Sequence, residues 1–161
     1  MIRAARESDL PAIRQLLVET WHDTYDGIYG VARVTEISDD WHSLKALKLR
    51  LAKRDAVFLV AEQESRIAGM TFATHMPSGE ARMHQLYVLP DFHGRGLGSR
   101  LLAAVVNRLG KLNTLSLEVE EANTSARRFY ERQGFVQRGS TANCGAADSG
   151  IPALVYVKSF A

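Results

Sequence analysis

The segment Leu86–Leu102, LYVLPDFHGRGLGSRLL, limits this chain's fold more than any other. A strand-like run ends at Pro90, glycines follow at 94, 96 and 98, and a strongly amphipathic helix pattern begins. Leu97, Leu101, Val105 and Leu109 fall at i, i+4, i+8 and i+12, and Gly110 suits the helix end. Glycines lack Cβ, so backbone N–H groups can converge on one point, and the helix N-terminus adds partial positive charge. The result is an anion site of phosphate or pyrophosphate character, with Arg95 and Arg100 adding full charges. No GK[ST] follows, which excludes a P-loop. The dinucleotide fingerprint is nearly matched, with Glu118 where a ribose-binding acid would stand. However, Ser99 replaces the third glycine and the preceding loop is too long for that turn.

The rest of the chain predicts the order β-α-α-β-β-β-α-β-α-β-β. A strand at 2–5 precedes a helix capped by Ser8 and running to about Thr20. Residues 21–30, WHDTYDGIYG, read as an aromatic, turn-rich loop, and a second helix runs from Ser38 or Asp39 to Lys53 on Trp41, Leu44, Leu47 and Leu51. Strands follow at 57–61, 66–74 and 81–89, then the glycine loop and its helix, then a strand at 114–119. Asn123 caps a helix to Gln133, with Gly134 and Phe135 at C′ and C″. Strands at 135–140 and 153–160 flank the loop TANCGAADSG. Short turns imply antiparallel pairing, and the strand-helix-strand step over 81–119 implies one parallel pair with a right-handed crossover. The expected fold is α/β in the broad sense: a mostly antiparallel mixed sheet with one parallel pair and helices on both faces.

With 161 residues, 46% of them hydrophobic, the chain is long enough for one domain over 1–161. A net charge of +2 argues against a dedicated nucleic-acid or membrane-surface binder. The single cysteine, Cys144, excludes an internal disulfide and a cysteine zinc cluster, and the scattered histidines lack metal-ligand spacing, so no metal is expected. The N-terminus lacks the apolar core of a signal peptide and no run could span a bilayer, so a cytoplasmic protein is expected.

Residues His93–Gly98 resemble the [RQ]-x-x-G-x-[GA] motif of the GNAT superfamily of acyl-CoA-dependent N-acyltransferases. The segment Asn123–Phe135, NTSARRFYERQGF, resembles that family's second signature, N-x-x-A-x-x-[FL]-Y-x-x-x-G-F. His93 departs from the usual Gln or Arg. The resemblance implies a GNAT-like fold and an N-acetyltransferase that moves acetyl from acetyl-CoA, as co-substrate, directly to a primary amine of a small molecule or peptide. The alternative is a catalytically weak acyl-CoA-binding sensor or scaffold. A homodimer stays open, because no segment specifies an interface.

The resemblance also implies roles. Leu86, Tyr87 and Val88 would line the pantetheine arm, with backbone groups of Leu86 and Val88 pairing with it. His93, Gly94, Arg95, Gly96, Leu97, Gly98 and Ser99 would hold the pyrophosphate, largely through amides, and Asn123 would bond the pantetheine. Tyr130 would contact the cofactor sulfur and protonate the departing thiolate, since a phenol (pKa about 10) can serve a thiol (about 8.5). The acceptor amine must lose a proton. His84, on the strand with Leu86 and Val88, suits a base, and Glu118 and Glu120 are rivals that could act through water. Trp21, Tyr25 and Tyr29 would wall the acceptor pocket, where rings suit a cationic amine. Cys144 is assigned no chemistry.

Overall fold

The computed structural model describes residues 1–144 and 149–160. Strand β1 (Ile2–Ala4) lies antiparallel on β2 (Ala56–Gln63), with Ile2 opposite Ala61 and Ala4 opposite Leu59. The chain then enters helix α1 (Leu10–Tyr29) through a 3₁₀ turn at Glu7–Asp9. The expected Ser8 cap is not used. Asp9 accepts the Arg6 N–H at 2.8 Å and takes a two-pronged bond from Arg3 at 2.8 and 2.9 Å. Arg3 also bonds Glu62 of β2, so one guanidinium ties the first helix turn to the sheet. That guanidinium holds the Asp9 carboxyl below its usual range.

Two expectations fail between residues 21 and 53. The aromatic stretch is not a loop: α1 continues through it to Tyr29 and stops at Gly30, whose φ is +86°. Trp21 and Tyr25 are only 3% and 2% exposed, so burial of their rings outweighs the poor helix propensity of the segment. The single second helix is instead two, α2 (Val31–Trp41) and α3 (Leu44–Ala52), broken at His42–Ser43. Ser43 caps α3 by accepting the Ala46 N–H at 3.1 Å, and a cap outcompetes continuation where the residue can satisfy orphan amides.

Strand β3 (Arg66–Met76) follows β2 through Glu64 and Ser65, both at positive φ (54° and 60°), as a two-residue hairpin turn requires. Next come β4 (Glu80–Val88), α4 (Leu97–Leu109), β5 (Thr114–Val119), α5 (Thr124–Arg132), β6 (Val136–Thr141) and β7 (Ala153–Ser159). The strands form one seven-stranded mixed sheet in the order β1-β2-β3-β4-β5-β7-β6. Contacts divide the chain into two units, Met1–Ala73 with Gln85–Arg108, and Thr74–His84 with Leu109–Ala161. β3 and β4 each run through both.

In the first unit, Leu10, Ile13 and Leu17 of α1, Leu47 of α3, Met70 of β3, and Leu97 and Leu101 of α4 share one core. In the second, β4 pairs parallel with β5 over three positions, Glu80–Thr114 to Arg82–Ser116, although both strands run on. β5 pairs antiparallel with β7 along its full length, and β7 with β6, with a register shift between Gln137 and Gly139. The parallel pair is the one expected over 81–119.

Candidate active site

In the first unit, the glycine loop leads from β4 into α4. Gly94 and Gly96 hold φ of +77° and +74°, and nothing lies within 4 Å of where a Cβ would stand at either. Backbone angle, not crowding, demands glycine here. The opening amides of an α-helix lack a preceding turn to bond, which suits a helix start such as that of α4 to an anion. Leu97 is buried in the core and anchors the helix start. Beneath α4, a Cβ on Gly69 of β3 would stand 2.8 Å from Leu101 Cδ1 and 3.1 Å from the Tyr87 carbonyl oxygen.

His93 is exposed, and its Nε2–H donates to the Val88 carbonyl at 2.8 Å. The departure from Gln or Arg therefore closes the loop back on the end of β4. The Arg95 guanidinium lies 4.8 Å from the Phe92 ring centre and bonds Glu64 at 3.3 Å, while Arg66 approaches the same ring at 5.4 Å. Ser99 is half-buried at the start of α4.

Along β4, burial alternates through Gln85 and then stops alternating. Leu86, Tyr87 and Val88 are all half-buried against the first unit's core. Tyr87 accepts a bond from Trp21 Nε1–H at 3.2 Å, which ties β4 to α1. Trp21 stacks on Tyr25 (4.5 Å between centres) and meets Trp41 and His42 edge-on at 5.5 Å, and Tyr25 reaches Tyr29 at 5.7 Å. Trp21 and Tyr25 are thus the sealed backing of an aromatic wall, and Tyr29 is its half-buried member. Burial and the nearby Arg50 charge push His42 down to about 3, so it is neutral at ordinary pH, with Nδ1 2.8 Å from the Ser38 hydroxyl.

In the second unit, Asn123 Oδ1 accepts the Ala126 N–H at 3.2 Å, the cap its position suggested. The helix it opens closes with Phe135 N–H on the Tyr130 carbonyl (3.0 Å) and Gly134 N–H on that of Glu131 (3.1 Å), a Schellman end with Gly134 at φ +93°. Tyr130 is buried between the rings of Phe129 and Phe135. Burial, with the Glu120 charge, pushes its phenol well above the ordinary range, so the proton stays on. Glu120 itself is only 6% exposed.

The Cys144 thiol donates to Glu120 and is pushed up to about 12, chiefly by burial. Sequence reasoning ranked Glu120 beside Glu118 and missed this Glu120–Cys144 link, which no local pattern encodes. Glu118 pairs with Arg82 at 3.7 Å, and the exposed His84 bonds the Thr74 hydroxyl at 2.8 Å. Arg127 bonds the Glu121 carbonyl (3.1 Å) and the Tyr156 hydroxyl (3.3 Å).

A family model for the acetyltransferase (GNAT) family matches residues 10–135, which include both the glycine loop and the Asn123 helix. The chain belongs to the GNAT acetyltransferase family. It is an acyltransferase, and its mixed sheet is the GNAT fold. It is 28% identical over 151 residues to the phosphinothricin N-acetyltransferase of Alcaligenes faecalis, covering 89% of this chain and 74% of that protein. It is 40% identical over 87 residues to the mycothiol acetyltransferase of Acidimicrobium ferrooxidans, covering 50% of this chain and 28% of that one. Among solved structures, the PaiA N-acetyltransferase of Thermoplasma acidophilum, in complex with coenzyme A, superposes with a TM-score of 0.87 at 22% identity, covering 99% and 98% of the two chains. Among the described residues no helix of this GNAT protein is long and apolar enough to cross a membrane, and no group of His, Cys, Asp or Glu is placed to hold a metal.

Proposed function

We propose that this GNAT protein transfers the acetyl group of acetyl-CoA directly to a primary amine of a small molecule or peptide. The observation that carries the reading is the pair of left-handed glycines, Gly94 and Gly96, leading into the open amides of α4. Together they suit a pyrophosphate. The N–H of Val88 is the donor we assign to the thioester oxygen, and Asn123 is assigned to the pantetheine.

The amine nitrogen attacks the thioester carbon, and the resulting oxyanion collapses with cleavage of the C–S bond. Tyr130 gives its proton to the leaving thiolate. The amine loses a proton to a base, for which His84 and the Glu118–Glu120 pair are the candidates. Burial keeps the proton on Tyr130, which leaves its O–H to hydrogen-bond the departing sulfur, while the raised phenol makes full transfer of that proton harder. A single domain working in the cytoplasm accords with this reading.

The test is calorimetric titration with acetyl-CoA and CoA, in the wild type and in Gly96→Glu, followed by an acetyl-transfer assay on an amine panel. Micromolar binding that vanishes in Gly96→Glu, with turnover of at least one amine, is the expected result. Binding without transfer to any amine would favour a sensor. No binding overturns the cofactor assignment.

A further inference from the structure

Between two buried anchors the glycine loop is bare. Phe92 and Leu97 are 1% and 3% exposed, and every residue between them, His93 to Gly96, is exposed. Before this stretch, a 3₁₀ turn at Pro90–Phe92 is closed by the Phe92 N–H on the Leu89 carbonyl at 2.9 Å and the His93 N–H on the Pro90 carbonyl at 3.1 Å. After it, the Arg100 N–H bonds the Gly96 carbonyl at 3.1 Å as α4 begins. Gly94 and Gly96 both sit in the left-handed region, and glycine has the most backbone freedom to lose. A stretch this exposed and this rich in glycine keeps one shape only when something outside it ties it down.

Two side chains supply ties. The Arg95 guanidinium lies over the Phe92 ring and reaches Glu64 at 3.3 Å, but an exposed ion pair contributes little. His93 reaches the strand itself, donating from Nε2–H to the Val88 carbonyl at 2.8 Å. That end of β4 is held on the β3 side. The Leu89 N–H donates to the Ala68 carbonyl at 2.8 Å, and Val88 Cγ2 stands 3.5 Å from where a Cβ on Gly69 would be. The loop is thus tied to a part of β4 that is packed in place. Gln and Arg, the usual residues at this position of the motif, also end in side-chain N–H groups. The three residue types share a donor of similar reach and differ in charge.

We propose that His93 is a positioning residue that clasps the glycine loop to the end of β4, so that one molecule of acetyl-CoA engages both. This rests on the cofactor reading above, which assigns the phosphates to the loop and the pantetheine arm to β4, and it gives the His93 side chain a role there. A ligand that spans two elements binds more tightly when the protein already holds them in register. A fragment that meets the loop alone does not gain from the clasp.

The experiment measures acetyl-CoA by calorimetry and ADP by NMR titration, since ADP carries a pyrophosphate without the pantetheine. His93→Ala removes the donor, and His93→Gln keeps a side-chain N–H without the ring. The side chain is exposed, so both variants should melt close to the wild type. His93→Ala should weaken acetyl-CoA binding about 3- to 10-fold, as loss of one hydrogen bond predicts, and change ADP binding less than twofold. His93→Gln should regain most of the acetyl-CoA affinity.

A loss under about threefold for acetyl-CoA in His93→Ala overturns the proposal. So does a His93→Gln variant no better than His93→Ala. An ADP loss equal to the acetyl-CoA loss also overturns it, and makes His93 part of the phosphate cradle alone. If the wild type binds no acetyl-CoA, the cofactor reading fails, and the clasp fails with it.

Discussion

Replacing Gly94 or Gly96 by alanine separates two kinds of cost. At both positions the space for a Cβ is open, so the whole penalty comes from the backbone angle. Holding an L-residue in the left-handed region costs about 1–2 kcal/mol. If the free protein keeps the loop rigid, that cost appears as lost stability. For a chain of this size it is a fall in Tm of roughly 2–8 °C. If the exposed loop relaxes, stability is spared, but binding must then restore the angle, so the same energy appears as an affinity loss of about 5- to 30-fold.

The two losses, expressed as energies, should sum to about 1–2 kcal/mol for each single variant. Thermal melts and CoA titrations on the same preparations measure both. Gly139→Ala, where φ is not left-handed and the space is also open, is the control and should lose neither. If Gly94→Ala and Gly96→Ala both melt within 1 °C of wild type (about 0.3 kcal/mol) and bind CoA within twofold, the loop has no need of its glycines. The phosphate-cradle argument then fails.

Tyr130→Phe should lower kcat roughly 100-fold with acetyl-CoA affinity retained. Because burial holds that phenol protonated above its ordinary range, the wild-type rate should show no alkaline decline from Tyr130 below about pH 10. An unchanged kcat in the variant across pH 6–9 would refute the acid role. Cys144 should resist alkylation at pH 8, reacting about 1,000-fold more slowly than in the unfolded chain because of its thiolate fraction alone. Glu120→Gln should speed it, and equal rates in native and unfolded protein would contradict the geometry.

Asp9→Asn should cost about 1–3 kcal/mol at pH 7. The folded pKa of Asp9 lies below its unfolded value of about 3.9, so its contribution is complete above that pH and is lost as pH falls through the folded value. The gap between wild type and variant in denaturant melts should therefore close below about pH 4.

Local chemistry made part of this molecule legible from the sequence. Asn123 and Gly134 bound their helix by hydrogen bonds within a few residues, and the structure places both as read. The Gly94–Gly96 loop carried its conformation in its residue types. The break at His42–Ser43 did not announce itself, because Trp41, Leu44, Leu47 and Leu51 keep helical spacing across it and periodicity does not register a short interruption. The extension of α1 through Trp21–Tyr29 depends on ring burial that only the folded chain supplies. For the same reason the bond from Cys144 to Glu120 had no signal in the order of residues. It arises where distant segments meet.

Gly69 has a bearing on the loop it never touches. It lies deep in β3, and its missing side chain is what lets Leu101, one turn into α4, rest almost on the strand. The height of that helix above the sheet is therefore set from below, and the glycine loop rides on its end. Any larger residue at 69 must push against Leu101 or the Tyr87 main chain, so it would lift the mouth of the helix or shift the strand beside it. The alignment of the glycine loop with β4 thus has its gauge in the floor of the core, at a residue that a survey of the loop alone would pass over.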